Sequence, residues 1–370
     1  MIYLDYSATT PVDERLFDYF SLVSKEYYGN PNSKHRLGQA SLHAIKESTR
    51  LVKATLNLKD QEIIYTSGAT EANNLAIKGY AHKNQSSGKH LIVSPYEHSS
   101  VVACFSALEK EGFLVDVLPS RPDGLVSLKD LEEMIQEDTI LVSIGALNSE
   151  LGILQDLKSI GEFLTKYPKI AFHVDATQAV GKIVLDYDLI DMFSFAAHKF
   201  YGLKGIGALV KNPKIKLDPI ISGGSSLSNE RSGTPATSLI LSLSKSLELA
   251  YSNIEQKYEH VLQLKNYLVG ELSRFENVYF NSNSNSIPHI VNVSIFDYSS
   301  VEVQRILNNH EIYVSTQSAC VANQGYSHVI YRVTGDEKRA KSGFRISISY
   351  KTTLDEIIEF VDCLRGELLK

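Results

Sequence analysis

A carboxylate and an amide follow an apolar run of the sequence that is typical of a buried strand. Asp175 ends the run HVD, and Gln178 comes three residues later. A carboxylate at that position needs a partner, because burying it unpaired is costly. The partner is either an arginine elsewhere in the chain, which would make Asp175 structural, or the protonated nitrogen of a bound heterocycle.

A lysine follows the next apolar run along the chain. The run MFSFAA ends just before His198 and Lys199. An isolated lysine most often forms a surface ion pair. A lysine at the same sheet edge as Asp175 can instead form a Schiff base with the aldehyde of pyridoxal phosphate.

The segment TSGATEANN joins a strand pattern to a helix pattern through small residues. Free N–H groups and the positive end of the helix dipole would let Gly68 to Thr70 bind a phosphate. Alternatively, Thr70 only caps the helix. The glycines of GLKGIG do not match the dinucleotide fingerprint, and no Gly-Lys-Ser/Thr phosphate loop is present. A phosphate seat, an acid and an amine together predict pyridoxal 5'-phosphate as the cofactor.

The third reactive group is a cysteine in the polar run STQSACVANQG. Cys320 lies among small polar residues, whereas free cysteines usually have apolar neighbours. Cys104 and Cys363 lie in helix-like apolar patterns and are predicted to be packing residues. Three cysteines without a Cys-x-x-Cys pair argue against a disulfide framework or a metal site. This cysteine usage predicts a reducing, cytoplasmic location.

Composition excludes several classes of function. The 370 residues are 43% hydrophobic and 22% charged, as in ordinary globular proteins, and the net charge is -6. That charge gives no reason to expect direct binding to nucleic acid or to an anionic membrane. The N-terminus MIYLDYSATTPVDE shows no signal-peptide pattern, and no apolar run approaches the ~20 residues of a membrane-spanning helix.

Strand and helix patterns alternate through the first two thirds of the chain. Nearly continuous apolar runs alternate with helical patterns, which predicts an α/β layer with a mostly parallel sheet covered on both faces. Residues 238–275 carry a long helical periodicity that could bridge two domains. A second set of strand and helix patterns follows and predicts a smaller α/β domain. The predicted strands are EIIYT, HLIVS, TILVSIGAL, IAFHVD, MFSFAA and GIGALV in the first set, then HIVNVSIF, IYVST and FRISISY.

Many of these motifs, in this order, resemble one known family. The chain is similar to the cysteine desulfurases, the NifS-like branch of the class V, fold type I pyridoxal-phosphate enzymes. This resemblance implies a large domain with a mixed, mostly parallel sheet over residues 11–255. Residues 1–10 and 256–370 would form the small domain. The matching motifs include YLDYSATTPVD, GNPNSKHRLG, TSGATEANNLAIKG, EHSSV, HVDATQAVGK, HKFYGLKGIGAL, RSGTPA, SACVANQG and FRISIS.

The resemblance assigns roles around the cofactor ring. It implies that Lys199 forms the Schiff base and later moves protons, that Asp175 binds the pyridine nitrogen, and that Gln178 binds the ring hydroxyl. His98 would stack on the ring and take part in proton transfer. From the sequence alone, His98 could equally be a satisfied structural histidine.

The resemblance also assigns the phosphate and the substrate. Ala69, Thr70 and His198 would hold the phosphate. Thr234 would reach it from the neighbouring subunit, which implies a homodimer. Arg345 would bind the substrate carboxylate with both arms of its planar guanidinium, although it could also be a surface-strand arginine.

Cys320 falls at the position of the family's nucleophile. The implied reaction converts L-cysteine to L-alanine and leaves the sulfur on Cys320 as a persulfide, which an acceptor protein or thiol then collects. The loop from Cys320 to Gly335 has the length of the long-loop subgroup, which serves tRNA-thiolation, thiamin and Fe-S acceptors. A mobile loop of small polar residues would suit a sulfur carrier.

Several residues depart from the family pattern near the site. Ala196 replaces a phosphate-binding serine, so one hydroxyl donor is lost. Ser149 replaces the second asparagine of Asn-Asn-Glu-x-Gly, which lies against cofactor and substrate in the family. Gln317 replaces a glycine, and GGSSLSNE before Arg231 lacks the usual His/Gln-Glu and basic residues. These changes affect activity and acceptor choice rather than the fold.

Three functions remain open from the sequence. The first is a cysteine desulfurase. The second is a related selenocysteine lyase or aminotransferase, although transamination has no need of Cys320. The third is a degenerate paralogue that acts as a partner or regulatory protein, against which the intact Lys199, Asp175, His98 and Arg345 argue.

Overall fold

The computed structural model describes residues 1–316 and 325–368. A single turn of 3-10 helix spans Ala197–Lys199, and a π-helical segment spans Leu75–Gly79 between two α-helices. The strands are β1 Ile2–Tyr3, β2 Glu62–Thr66, β3 His90–Val93, β4 Leu114–Val117, β5 Thr139–Ser143, β6 Ala171–Asp175, β7 Met192–Ala196, β8 Gly207–Lys211, β9 Val278–Phe280, β10 Ile290–Ile295, β11 Ile312–Tyr313 and β12 Gly343–Ser347. The helices are α1 Glu14–Glu26, α2 Arg36–Thr55, α3 Ala69–Asn74, α4 Tyr80–Asn84, α5 Ser99–Lys110, α6 Leu128–Met134, α7 Leu157–Leu164, α8 Thr237–Tyr251, α9 Ile254–Leu272, α10 Ser300–Asn309, α11 His328–Thr334, α12 Glu337–Ser342 and α13 Leu354–Glu367.

A seven-stranded sheet dominates the structure, in the order β2-β8-β7-β6-β5-β3-β4. The five strands from β7 to β4 are parallel, whereas β8 runs antiparallel to both β7 and β2. Strands β2, β3, β5, β6 and β7 therefore all end at the same edge of the sheet. This mixed, mostly parallel α/β architecture confirms the predicted fold class.

Both faces of this sheet are buried, as its nearly continuous apolar strands predict. Along β3, Ile92 packs into one hydrophobic cluster, whereas Leu91 and Val93 pack into another. The two clusters correspond to opposite faces, because side chains alternate along a strand. Edge strand β4 was absent from the sequence prediction; its Leu114 and Val117 are about half exposed, so its pattern is weak.

The long helical pattern over residues 238–275 forms two helices, not one. Helix α8 ends at Tyr251 and α9 begins at Ile254. Between them Asn253 adopts a left-handed conformation with φ 56°, which interrupts the helix. Asparagine is one of the few residues that adopt this conformation readily.

The two helices belong to different hydrophobic cores. Ala250 of α8 packs with the large sheet, whereas Val261 of α9 packs in a cluster that contains Ile2 and Leu4. This change of core supports the predicted division near residue 255, which stays a prediction. The second core lies on an antiparallel sheet in the order β12-β10-β9 and on the parallel pair β1-β11.

Two of the cysteines occupy the predicted packing positions. Cys104 is 1% exposed in α5, and burial raises the pKa of its thiol to about 11. Cys363 is partly buried in α13, and its pKa is also raised by burial. Neither thiol is activated. Within the described residues, no helix has the length and apolar character needed to cross a membrane.

Candidate active site

A cavity of about 510 Å³ lies at the edge of the large sheet where β2, β3, β5, β6 and β7 end. This is the edge at which open α/β sheets bind ligands. Arg345, Ala196 and Thr234 are not among the lining residues, and Cys320 and Gln317 lie outside the described residues. The predicted site residues that line the cavity are Ala69, Thr70, His98, Ser149, Asp175, Gln178, His198 and Lys199.

One end of the cavity, the acid end, is formed by Asp175, Gln178 and His98. Asp175 is the last residue of β6 and is 8% exposed. Its two oxygens accept hydrogen bonds from the backbone N–H of Thr177 at 3.0 Å and from Nδ2 of Asn73 at 2.8 Å. Neither partner is an arginine. These two contacts therefore do not provide the arginine pairing that would have made Asp175 a structural residue.

Gln178 is held by two contacts that fix the orientation of its amide. Its Nε2 donates to the carbonyl oxygen of Ser7 at 2.9 Å, and its Oε1 accepts from Nζ of Lys182 at 2.7 Å. Because the carbonyl oxygen of Ser7 only accepts, the NH₂ group of Gln178 must face it, which leaves the amide oxygen on the Lys182 side. Burial lowers the pKa of Lys182 well below its usual range, and Lys199 and Arg345 add to the effect.

Lys199 ends the 3-10 turn that follows β7. Its Nζ donates to the carbonyl oxygens of Ser7 at 2.8 Å and of Ala8 at 2.7 Å. The N-terminal segment therefore positions both Lys199 and Gln178 on one side of the cavity. The amine of Lys199 therefore lines the cavity and is held at the N-terminal segment.

His98 is the N-cap residue of α5, with its imidazole open to the cavity. Its pKa is lowered from the usual range, chiefly by loss of hydration; Asp175 opposes this shift and Lys199 adds to it. This shift favours the neutral imidazole. The adjacent Glu97 accepts from the backbone N–H of Gly145, and burial raises its pKa to about 8.

The other end of the cavity, the helix end, is formed by Gly68, Ala69, Thr70 and His198. Helix α3 begins at Ala69, and its N-cap Gly68 makes no side-chain capping bond. Thr70 is therefore inside the helix and is not its cap. Burial lowers the pKa of His198 to about 4, with nearby lysines adding to the effect. The helix end thus offers free N–H groups and a neutral imidazole.

Arg231 connects the segment that carries Thr234 to the helix end. Its Nε donates to Oε1 of Glu71 at 2.8 Å, and Oε2 of Glu71 accepts from the backbone N–H of Ser67 at 2.7 Å. Thr234 itself lines a neighbouring cavity of about 160 Å³, which shares Ser67 with the larger one. Within this chain, Thr234 is separated from the main cavity.

Arg345 lies in β12, is 4% exposed and is already engaged. Its guanidinium donates to Oδ1 of Asp5 at 2.6 Å and to the carbonyl oxygen of Ser149 at 2.8 Å. Its Nε is buried without a hydrogen-bond partner among the described residues. Nε–H is therefore one of the guanidinium donors that the Asp5 and Ser149 contacts leave available.

Sequence reasoning missed several residues of this site. Asn73 reaches Asp175 across the fold, Lys182 orients Gln178, and Ser100 contacts His98. Asn73 and Lys182 lie within the quoted family motifs, but no local signal assigns them a contact. The Asn73 contact depends on how the fold places distant segments side by side, whereas the contacts of Lys182 and Ser100 are local, four and two residues along the chain.

Comparisons with known proteins agree with this geometry. The family model described as aminotransferase class-V matches residues 2–360. The cysteine desulfurase IscS of Vibrio cholerae serotype O1 is 39% identical over 376 residues, which cover 98% of this chain and 92% of that protein. A solved NifS-like protein has a TM-score of 0.92 at 31% identity, covering 99% of this chain and 98% of its own. The structure described as SspA in complex with cysteine has a TM-score of 0.84 at 33% identity, covering 95% and 100% respectively.

The chain therefore belongs to the aminotransferase class-V family. Within that family, these relatives are cysteine desulfurases and NifS-like proteins. The family predicted from the sequence motifs is confirmed.

Proposed function

We propose that this chain is a pyridoxal-phosphate-dependent cysteine desulfurase that converts L-cysteine to L-alanine. The observation that carries the proposal is the joint placement of Asp175, Lys199 and an uncapped helix N-terminus around one cavity. Full-length similarity to a cysteine desulfurase supports the choice of reaction within the family.

The cavity fits pyridoxal phosphate in size and in chemistry. Its volume of about 510 Å³ is in the range of small-molecule sites. Asp175 would bind the pyridine nitrogen, Gln178 would donate to the ring hydroxyl, and the helix end would hold the phosphate. Lys199 would form the Schiff base. When bound, the cofactor supplies an electron sink for the substrate's Cα.

The protein's own groups would then bind the substrate and move its protons. Arg345 is proposed to bind the substrate carboxylate, and its Nε, which has no hydrogen-bond partner among the described residues, is one of the donors that Asp5 and Ser149 leave available. Lys199 is proposed to remove the Cα proton, because an amine beside the reacting carbon can act as a general base.

Cys320 is proposed as the sulfur acceptor on the basis of its sequence context. Its thiolate would attack the substrate sulfur, so the Cβ–S bond breaks and a bond between Sγ and sulfur forms. The electron pair left at Cβ would take up one proton there, and return of a proton to Cα would complete alanine. The persulfide would then pass to an acceptor protein or thiol, with tRNA thiolation, thiamin and Fe-S pathways as candidate destinations. A cytoplasmic location is part of this proposal.

The proposal is tested with purified full-length protein and added cofactor. We expect yellow protein that turns L-cysteine and a reductant into equal amounts of alanine and sulfide. The Lys199→Ala variant should lose the colour that comes from the Schiff base, and Cys320→Ser should bind cofactor but release little sulfide.

Four results would count against the proposal. Protein that cannot be reconstituted with cofactor would favour a partner or regulatory role. Transamination without sulfide would favour an aminotransferase, and a strong preference for selenocysteine would favour a lyase. Full activity of Cys320→Ser would exclude the persulfide step.

A further inference from the structure

Within the acid end of the cavity, a continuous set of hydrogen bonds connects Asp175 to His98. Nδ2 of Asn73 lies 2.8 Å from Oδ2 of Asp175 and 3.0 Å from Oγ of Ser100. Oγ of Ser100 in turn lies 2.8 Å from Nδ1 of His98. Asn73 is fully buried and Ser100 is 8% exposed, so bulk water does not compete for the contacts that Asn73 makes with Asp175 and Ser100.

The direction of each hydrogen bond in this set follows from the Asp175 carboxylate. A carboxylate only accepts, so the amide nitrogen of Asn73 must face it. The flipped amide would put its oxygen 2.8 Å from a carboxylate oxygen with no hydrogen between them. The same NH₂ group therefore donates its second hydrogen to Oγ of Ser100. The Ser100 hydroxyl then has its own hydrogen available for Nδ1 of His98.

A second donor acts on the same ring nitrogen. The backbone N–H of Ser100 also points at Nδ1 of His98, with an N to N distance of 3.2 Å. A backbone N–H cannot accept, so this contact requires a lone pair on Nδ1, whatever the hydroxyl does. Two independent donors thus favour the same state of the ring.

We propose that Asn73 and Ser100 are positioning residues that hold neutral His98 in the tautomer with its proton on Nε2. The lowered pKa of His98 is consistent with a neutral ring. Nε2, on the opposite side of the imidazole from Ser100, is then the N–H that a group in the cavity meets.

This arrangement restricts what His98 does. A ring that already carries hydrogen on Nε2 has no lone pair there, so it donates a hydrogen bond into the cavity and does not remove a proton at that atom. Taking up a proton at Nδ1 would break the bond from the Ser100 backbone and force the hydroxyl to rotate. The identity of the acceptor in the cavity, a substrate carboxylate or sulfur, rests on the proposed function. Proton removal is then left to Lys199.

The test is the tautomer of His98 in the full-length holoprotein, measured by long-range proton–nitrogen NMR on ¹⁵N-histidine-labelled protein near neutral pH. The His98→Gln variant assigns the signal. We expect one protonated nitrogen at Nε2 and one unprotonated nitrogen at Nδ1. In Ser100→Ala, the ratio of the two tautomers should fall about fivefold, the change expected from loss of one ordinary hydrogen bond.

Two further variants separate this role from general structural damage. Ser100→Thr keeps a hydroxyl and should restore the Nε2–H tautomer. Ser99→Ala removes a hydroxyl one residue away and should leave the ratio unchanged.

A proton on Nδ1 in the unmodified protein, or an unchanged ratio in Ser100→Ala, would overturn the inference. Alanine and sulfide production is assayed separately. Loss of that activity with the expected tautomer would refute the proposed function and leave the inference intact.

Discussion

The two ends of the cavity are built in different ways. At the acid end, Asp175 and Gln178 each make two hydrogen bonds to other parts of this chain, and His98 is held by Ser100. At the helix end, the N-cap Gly68 offers no side-chain bond. One end is fixed before any ligand binds, whereas the other consists of open donors.

The two ends would therefore serve different purposes: the acid end would act in the reaction, and the helix end would contribute to the affinity for the cofactor. The groups proposed to act on the cofactor ring must be accurately oriented, because electrostatic catalysis depends on donors and charges placed in advance. A phosphate group is satisfied by several donors, so its seat tolerates losing one. Ala196 replaces a phosphate-binding serine of the family pattern, and Thr234 lies outside the main cavity. Both observations concern phosphate binding and not the groups proposed to act on the ring.

The strongest test of the comparison is a change at the acid end. Asp175→Asn removes the charge proposed to bind the pyridine nitrogen and places a second NH₂ group near Asn73. We expect alanine production to fall at least ~100-fold, as when a preorganised electrostatic group is lost. The measurement is the initial rate with saturating cofactor, together with the absorbance spectrum of the bound cofactor.

The matched control is Asp188→Asn, which removes a carboxylate from an exposed ion pair with Lys59. It should leave both the rate and the spectrum unchanged. An Asp175→Asn enzyme with nearly full activity would show that the acid end is not preorganised for the ring.

A smaller effect is expected when the partner's contribution to the helix end is removed. If Thr234 completes the phosphate site of a second subunit, Thr234→Val should weaken cofactor binding by ~10-fold, the lower limit for a hydrogen bond to a charged group. Cofactor retention is measured by equilibrium dialysis, and sedimentation on the same samples gives the oligomeric state.

Mixed dimers sharpen this test. When the Thr234→Val and Lys199→Ala proteins are mixed, each mixed dimer should regain one tight cofactor site. That site combines the intact Lys199 of one chain with the intact Thr234 of the other. A mixture that behaves as the average of its two components, or a monomer with full cofactor affinity, would place Thr234 outside the site.

The smallest effect should come from restoring the missing hydroxyl. Ala196→Ser offers a new donor to the phosphate and should tighten cofactor binding about fivefold, since the gain is offset by fitting an extra atom at a fully buried position. Dialysis measures this gain, and Thr70→Val should shift affinity in the opposite direction. Weaker binding by Ala196→Ser would show that Ala196 is a packing residue and not a lost donor.

The sequence was informative wherever a functional residue directly follows a strand. Asp175 and Lys199 lie within or just after apolar runs, and parallel strands bring such ends to one edge. Their proximity could therefore be predicted without any contact being visible. The same reasoning placed Gly68 to Thr70 at that edge of the sheet.

The sequence was uninformative about residues that act through other side chains. Asn73 lies within a helix pattern like any other asparagine, yet it contacts Asp175 across 102 positions. The engagement of Arg345 by Asp5 spans 340 positions. Such pairs depend on the packing of distant segments, which no local pattern encodes.

The sequence by itself determined the fold class, the family and the kinds of group that meet at the cavity. Strand and helix periods are local properties, and the order of the motifs is preserved along the chain. Only the tertiary structure decided the state of each group: which way the amides of Asn73 and Gln178 point, which nitrogen of His98 accepts, and that Arg345 is already paired. Those states depend on distances of about 3 Å, because a hydrogen bond acts only at that range. Asn73 and Arg345 meet partners 102 and 340 positions away, whereas His98 is held by Ser100, two residues further along the chain.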